Sequence, residues 1–355
     1  MENGKFRDIP FIKIKAGNNY DFGYAVGSRL KIRIQDRVLK NRELFKRKAV
    51  KARDFSIYVK KAKKFIPSIK KNFPHLLQEA RGLADGADIK FDEFLANMVD
   101  DEIIDFKILH CISIALKTED NQFLLGNNED WFPEYKRNGL MLVKGEIKNN
   151  KFLGLGYVGK MIGSACGLNK YGLAYTDNSF VLNKFVYGVP RTFQLRSLLD
   201  AKNDKEAIKN LDKHGSLSSN TMISYKNVAT SVEEYFNHHR LYKTKDLMVH
   251  TNHPLEKKYQ NKKNTEMESI VRYNRAYEIL RNEKNLTANS LKKVFSDHKV
   301  TIVHKLKVSI CEHADKAYMN YCVATIGSVI MNPGKKIMMV CHGNPCKEKY
   351  KEYKL

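Results

Sequence analysis

No stretch of this chain is apolar over the roughly 20 residues that a membrane-spanning helix needs. No apolar core follows the charged start MENGKFRDIPFIKIKAGNNY, so a secretory signal is not expected there either. The last three residues, Tyr353-Lys354-Leu355, share only Lys-Leu with the peroxisomal Ser-Lys-Leu address, and Tyr353 is not small. These absences leave a cytoplasmic protein with no membrane partner as the expectation. Acidic residues are in short supply: 39 Asp and Glu face 63 Lys and Arg, for a net charge of +24. A field of that sign attracts anions, nucleic acids among them. The lysines are spread along the whole chain, however, and in KNRELFKRKAVKARDF and YVKKAKKFIPSIKKNF they fall on what read as solvated helix faces. There is no zinc-finger spacing, no aromatic RNA-binding signature and no discrete basic tail. No nucleic-acid partner is therefore expected.

Cysteine is scarce as well. The six are Cys111, Cys166, Cys311, Cys322, Cys341 and Cys346. An even number invites a disulfide framework, but a long chain without a secretion signal points to reduced thiols. The stretches CEH and CHGNPC lack the paired C-x-x-C spacing of a zinc site, so no metal is expected and most of these cysteines read as small buried apolar residues. Repeats of fixed period and low-complexity linkers are also missing.

What is present is a chain of 355 residues, 43% hydrophobic, able to bury one large core or two packed ones. The first 105 or so residues read as helical, from YDFGYAVGSRLKIRIQDRVLKNRELFKRK through FPHLLQEARGLADGA to KFDEFLANMVDDEIID. Asp92 is a candidate N-cap for the last of these. From residue 108 the texture changes to hairpins. ILHCISIALKTEDNQFLLGN turns at Glu-Asp-Asn, GLMLVKGEIKNNKFLGLGYVG at Lys148-Asn149-Asn150, and IGSACGLNKYGLAYTDNSF at Asn169-Lys170-Tyr171-Gly172. Helices RTFQLRSLLDAK and DKEAIKNLDKHG, strands NTMISYKN and ATSVEEYF, and a charged helix MESIVRYNRAYEILRNEK follow. A final hairpin turns at Asn332-Pro333-Gly334. This order predicts an α+β protein with two sheets covered by helices.

Polar islands interrupt the apolar strands: Cys111, Asn128-Glu129-Asp130, the HTNH of residues 250–253, and SLSSNTMIS with Ser218, Ser219 and Asn220. Strand ends are where a sheet scaffold presents catalytic groups. A cysteine nucleophile needs a base and donors aimed at the developing oxyanion. Asn252 offers N–H donors without a charge, and Asp130 suits an ammonium or amine. Each residue alone reads equally as structure: Cys111 as core, Asp130 as a turn residue. The two histidines of HTNH would share a metal on a helix but not on a strand.

Together, in this order, the motifs resemble the self-processing cysteine N-terminal-nucleophile (Ntn) hydrolases typified by isopenicillin-N acyltransferase. More distantly they are similar to the choloylglycine hydrolase and penicillin V acylase group. FGYAVGSRL and LLQEARGLADGADIKFDEFLANMVDDEI look like the helical pro-region, and HCISIALKTEDNQFLLGNNEDWF like the nucleophile hairpin. GSACGLNKYGLAYTDN, SSNTMIS, VHTNHPL and ATIGSVIMNPGKKIMMVCHGNP follow in the same order. The resemblance implies a four-layer αββα sandwich cut between His110 and Cys111, with residues 1–110 as the α chain and 111–355 as the catalytic β chain. Cys111 would be the nucleophile, with its own freed α-amine as base. Asp130 would position both, Asn252 would hold the oxyanion, and Ser219, Asn220 and Trp131 would line the substrate site. The reaction implied is acyl transfer from a linear amide or an acyl thioester, through an acyl-cysteine, to water or an amine. No cofactor is implied, although a coenzyme A thioester would serve as co-substrate. The two fragments would stay together, alone or in a higher oligomer. The sequence departs from that pattern in three places: His110 stands where the acyltransferases carry glycine, Ile112 where many relatives have threonine, and Asn127 where the choloylglycine group has arginine. The competing reading is an inactive Ntn-fold protein that binds anions or nucleic acid through its charge.

Overall fold

The computed structural model describes residues 6, 8–48, 55–104, 111–180, 186–236, 238–260, 264–303, 306–314 and 323–355. It begins with β1 (Phe11–Ala16), then α1 (Asn19–Arg29), α2 (Lys31–Lys48), α3 (Phe55–Lys63), α4 (Ile66–Asn72), α5 (Pro74–Gly86), α6 (Phe91–Met98) and α7 (Asp100–Ile103). Strands follow: β2 (Ile112–Lys117), β3 (Phe123–Trp131), β4 (Leu140–Ile147), β5 (Asn150–Tyr157), β6 (Cys166–Asn169) and β7 (Leu173–Ser179). Helices α8 (Arg191–Leu198) and α9 (Asp204–Leu211) lead to β8 (Ser219–Tyr225), β9 (Val228–Tyr235), β10 (His238–Thr244) and β11 (Leu247–His250). The chain closes with α10 (Asn264–Arg281), α11 (Ala288–Phe295), β12 (Thr301–Val303), β13 (Leu306–Val308), β14 (Ala324–Asn332), β15 (Ile337–His342) and β16 (Tyr350–Lys354). Two compact units interleave along the sequence: residues 1–106, 137–167 and 183–217 form unit 1, and residues 107–136, 168–182 and 218–355 form unit 2.

Unit 2 has three layers. A six-stranded antiparallel sheet runs in the order β11-β2-β3-β14-β15-β16. Strand period 2 sends Ile112, Ile114 and Leu116 to one face, where they pack with Ala276, Ile279 and Leu280 of α10 and Leu291, Val294 and Phe295 of α11. Ser113 and Asn127 take the other face and bond to each other at 3.1 Å. On that side β2 and β3 lie against β7 and β8 of a second antiparallel sheet, β7-β8-β9-β10. Unit 1 holds helices together with the strands β1, β4 and β5, β1 parallel to β4 and β4 antiparallel to β5. This is the α+β class expected, with the stacked sheets that an αββα resemblance implies.

The hairpin turns fall where the sequence placed them. Lys148 and Asn149 both have positive φ (46° and 68°), which closes a two-residue loop between Ile147 and Asn150. Two expectations need correcting. The N-terminal region is not helical throughout, because β1 precedes the helices. Its sequence FIKIKA buries Ile12 and Ile14 and exposes Lys13 and Lys15, an alternation only a strand satisfies. Asp92 is not the cap of α6 either. Lys90 holds that position without a side-chain bond, and Asp92 sits in the first turn, paired with Lys63 at 2.9 Å.

In unit 1 the closest helix pair is α1 against α5, and glycine sets the approach. A Cβ on Gly23 would collide with the Glu79 carbonyl oxygen, and one on Gly82 with the Tyr20 carbonyl oxygen. The same pair leaves Glu79 fully buried, where Arg196 forks onto its two oxygens at 2.8 Å each. Replacing a contact glycine by alanine pushes backbone against backbone and is expected to cost about 1–3 kcal/mol. Urea midpoints of Gly23→Ala and Gly82→Ala should both fall. Gly17→Ala, whose Cβ would meet nothing within 4 Å, should stay near the parent. Equal midpoints for all three would remove glycine as the reason for the close approach.

Candidate active site

Cys111 immediately precedes β2, where Ile112 pairs with Asn128 of β3. The register therefore brings the cysteine to the carboxyl end of β3, and its Sγ lies 3.7 Å from the Asp130 carbonyl oxygen. A bulge in β14 between Thr325 and Gly327 sits opposite the same two residues, Asp130 and Glu129. Bulges of this kind re-aim side chains beside active sites. Burial pushes the Cys111 thiol well above the ordinary cysteine value. The charges of Glu129 and Asp130 push it the same way, and hydrogen bonding from the Asp130 backbone and the Arg272 charge oppose them. In the intact chain the sulfur is thus a neutral thiol, which attacks only if a base takes its proton.

Arg272 ties the site together. It lies on α10 in a buried stripe with Ser269, Ala276 and Leu280, and is itself 1% exposed. Its Nη1 donates to the Cys111 carbonyl oxygen at 2.9 Å, and its Nη2 to Asn252 Oδ1 at 2.9 Å. Burial lowers its pKa, and the charge of Asp130 is the largest influence opposing that. A guanidinium stays protonated regardless. With Oδ1 held by Arg272, the Asn252 amide turns its NH2 toward Ser179, donating to that carbonyl at 3.0 Å. An amide NH2 carries two hydrogens, so one donor remains. The Asn252 backbone N–H donates to Ser269 Oγ at 2.7 Å, which fixes the residue from behind.

The histidines of HTNH serve structure. His250 Nε2 meets Glu233 Oε1 at 2.9 Å and links β11 to β9 across the two sheets. Leu255 N–H and Tyr235 O–H donate to the same carboxylate at 2.7 and 2.6 Å. Burial raises the Glu233 pKa, but His250, Leu255 and Tyr235 together bring it below the usual range. His253 is held by Ser269 Oγ at 2.8 Å, and burial pushes its pKa down to about 4, with His250 and Arg272 adding to the effect. The group of side chains with metal-ligand spacing among the described residues is elsewhere: Cys311, His313 and Cys346. They lie in the CEH and CHGNPC stretches, whose lack of C-x-x-C spacing made them a weak zinc signal in the sequence.

Of the expected site residues, Cys111, Asp130 and Asn252 gather as described. Ser219 is the register partner of Ser179, the residue whose carbonyl Asn252 contacts, and Asn220 pairs with Asn178. Asn220 Oδ1 accepts from Ser231, while Ser218 Oγ, Ser219 Oγ, Asn220 Nδ2 and both polar atoms of Asn178 are buried without a hydrogen-bond partner among the described residues. Trp131 follows Asp130 at the end of β3, half-buried, with its ring edge-on to Phe132 at 5.2 Å and Tyr135 at 6.4 Å. His110 lies outside the described residues. Arg272 and the Glu233–His250 pair were not anticipated. A signal for Arg272 was present, since it stands four residues before Ala276 on the apolar stripe of a charged helix.

A cysteine at the head of a central strand in a two-sheet sandwich, with an aspartate on the partner strand and an asparagine donor beside it, is the plan of an Ntn cysteine hydrolase. The sequence model described as "Acyl-coenzyme A:6-aminopenicillanic acid acyl-transferase" matches residues 116–347, more than half of the chain, beginning just after Cys111. The chain belongs to that family. It is similar to the beta-alanyl-dopamine/carcinine hydrolase of Drosophila melanogaster, 29% identical over 170 residues. That match covers 42% of this chain and 43% of the fly protein, less than half the length of either. Among solved structures, an N-acylethanolamine-hydrolyzing acid amidase ortholog of Caenorhabditis elegans is 17% identical, with 63% of this chain and 93% of that one covered at a TM-score of 0.44. A variant of the conjugated bile acid hydrolase of Clostridium perfringens is 13% identical, with 69% and 97% covered at 0.47. The penicillin V acylase of Agrobacterium tumefaciens is 13% identical, with 65% and 83% covered at 0.42.

A raised thiol pKa has a direct readout. In the uncleaved chain, iodoacetamide should modify Cys111 slowly at neutral pH. The rate should keep climbing above about pH 10, where a free cysteine of pKa about 8.5 has levelled off. Arg272→Met removes a charge that favours the thiolate, so it should move the profile further up. A Cys111 plateau already reached by neutral pH, followed by peptide mass spectrometry, would sink this account of the site.

Proposed function

We propose that the protein is a self-processing N-terminal-cysteine amidohydrolase or acyltransferase acting in the cytoplasm on a linear amide or acyl-thioester bond. The observation that carries this reading is the Arg272 bridge, which joins the peptide unit of Cys111 to the side chain of Asn252. A donor for an oxyanion is thereby held in register with the nucleophile's own backbone.

In the first stage the Cys111 thiol adds to the His110 carbonyl, its proton passing through water to the amide nitrogen as the C–N bond breaks, and the resulting thioester is hydrolysed by water. Residues 1–110 end in a carboxylate, and Cys111 is left with a free thiol and α-amine. That amine, with a reference pKa of about 8, is a base within direct reach of the half-buried thiol. In the second stage the amine takes the thiol proton and sulfur attacks the acyl carbonyl. The remaining Asn252 N–H donates to the oxyanion, and the leaving amine or thiol departs with the proton. Water or an acceptor amine then attacks the acyl-cysteine and regenerates the thiol. Asp130 holds the ammonium form of the amine. Ser219, Asn220 and Trp131 face the substrate. The reaction needs no cofactor, and a coenzyme A thioester fits as an anionic acyl donor to a chain of net charge +24.

Intact mass and a denaturing gel test the first stage. Wild type should separate into residues 1–110 and 111–355, and Cys111→Ala should stay whole. A mixed panel of acyl thioesters, N-acyl amines and β-alanyl amides tests the second, by the mass of acyl adducts on the fragment that begins at Cys111. Asn252→Ala should lower turnover about 10²–10³-fold, the usual loss for one oxyanion donor. A wild type that stays whole and takes up no acyl group would overturn the proposal.

A further inference from the structure

Cys311, His313 and Cys346 converge in unit 2, and none of them is among the residues assigned to acyl transfer. Cys311 and His313 follow β13 and Cys346 follows β15, 35 positions after Cys311 and 33 after His313. Both thiols are free, and Cys311 is fully buried while His313 and Cys346 are half-buried. The sulfurs are 3.6 Å apart, and His313 Nε2 lies 3.7 Å from Cys311 Sγ and 3.2 Å from Cys346 Sγ.

These three edges can be compared with a coordination tetrahedron. Zinc binds thiolate at about 2.3 Å and imidazole at about 2.0–2.1 Å, so tetrahedral angles put two sulfurs about 3.8 Å apart and sulfur and nitrogen about 3.6 Å apart. The observed edges fall within a few tenths of an ångström of that figure. Hydrophobic burial of two cysteines does not require a histidine nitrogen in contact with both sulfurs. The surroundings suit a thiolate as well: Asn344 Nδ2 donates to Cys311 Sγ at 3.4 Å and to the Glu312 carbonyl at 2.6 Å. A donor on the sulfur is the kind of outer contact that orients a metal ligand. Two thiolates, one neutral imidazole and a divalent ion sum to zero charge, which a largely buried site tolerates.

We propose that Cys311, His313 and Cys346 bind one zinc ion, with water as the fourth ligand. The ion is structural for the active-site strand. Glu312, between two of the ligands, donates its N–H to Thr325 Oγ1 at 2.9 Å and accepts from the Thr325 N–H at 3.0 Å. Thr325 in turn is the register partner of Asp130. Zinc fastens the loop that carries Glu312 to the loop after β15, and so holds β14 against the carboxyl end of β3.

The test uses the full chain purified without chelators under reducing conditions. Elemental analysis should find one zinc per chain. Chain stripped with a chelator should take up one equivalent of zinc chloride in competition with a chromophoric indicator. Cobalt(II) in its place should give the sulfur-to-metal absorption of a thiolate site. Cys346→Ser and His313→Gln, both half-buried and tolerant of change, should each weaken zinc binding by at least 100-fold. Asn344→Ala should weaken it about 10–100-fold, as loss of an outer contact does. Cys111→Ala should bind zinc like the parent, which separates this site from the proposed nucleophile. Absence of zinc uptake by the reduced wild type, or uptake that Cys111→Ala abolishes and Cys346→Ser leaves unchanged, would overturn the assignment.

Discussion

The active-site end of unit 2 depends on a buried cation that cannot shed its charge. Arg272 has almost no contact with solvent, and taking a guanidinium out of water costs several kcal/mol unless its N–H groups find acceptors. It finds them on the Cys111 carbonyl and Asn252 Oδ1. The need to satisfy one group therefore fixes two others. The start of β2 is anchored at its backbone, so its position does not rest on the cysteine side chain. The asparagine amide is locked in one of its two flips, with oxygen toward the arginine and NH2 toward Ser179. A lysine could not do the same, because it lacks the planar fork that reaches two acceptors at once.

The same logic recurs in unit 1. There the fully buried Glu79 is satisfied by the fork of Arg196, and the helix that carries Glu79 can come close to α1 only because Gly23, Gly27, Gly82 and Gly86 lie at the contact. Backbone approach and charge burial are thus coupled. Asn19 Nδ2, on α1, also reaches Glu79 Oε2 at 2.9 Å, so the close helix pair completes the carboxylate's hydrogen bonding. Pairs of this kind seldom add much net stability, but they penalise any packing that separates the partners.

Much of this was legible in the sequence where local chemistry decides. Lys148-Asn149, Asn169 to Gly172 and Asn332-Pro333-Gly334 are turns in the structure because residues that accept positive φ, or whose side chains bond nearby amides, stand there. Asn169 Oδ1 accepts from both Tyr171 and Leu173 N–H. The pairing of Ile112 with Asn128 likewise follows from the alternation of the two strands. Legibility ended where the partner is distant. FIKIKA was read as part of a helical region although its alternation is clean, because the helices after it dominate the window. Arg272 looked like one more charge on a charged helix, and its place on the apolar stripe gained meaning only once the fold buried that face. Cys311 and Cys346 lie on loops brought together by β14 and β15, and no spacing rule covers ligands supplied from both ends of a hairpin.

The net charge of +24 suggests a positive environment for a thiolate, yet the thiol of Cys111 is pushed the other way. The contradiction resolves on distance. Solvent-exposed lysines beyond about 8–10 Å are screened at physiological salt, while Glu129 and Asp130 act across a few ångströms of low-dielectric interior. Arg272, the cation nearest in bonding terms, has its Nη1 committed to the Cys111 carbonyl. Bulk charge can draw an anionic substrate toward the molecule, but it does not activate this sulfur. Whatever removes the thiol proton must be local, and the carboxylates that oppose the thiolate are well placed to hold an ammonium instead. On the proposed mechanism these are two sides of one arrangement. Burial and the charges of Glu129 and Asp130 keep the intact chain's thiol protonated, and the Asp130 charge among them is the one that steadies the amine once the chain begins at Cys111.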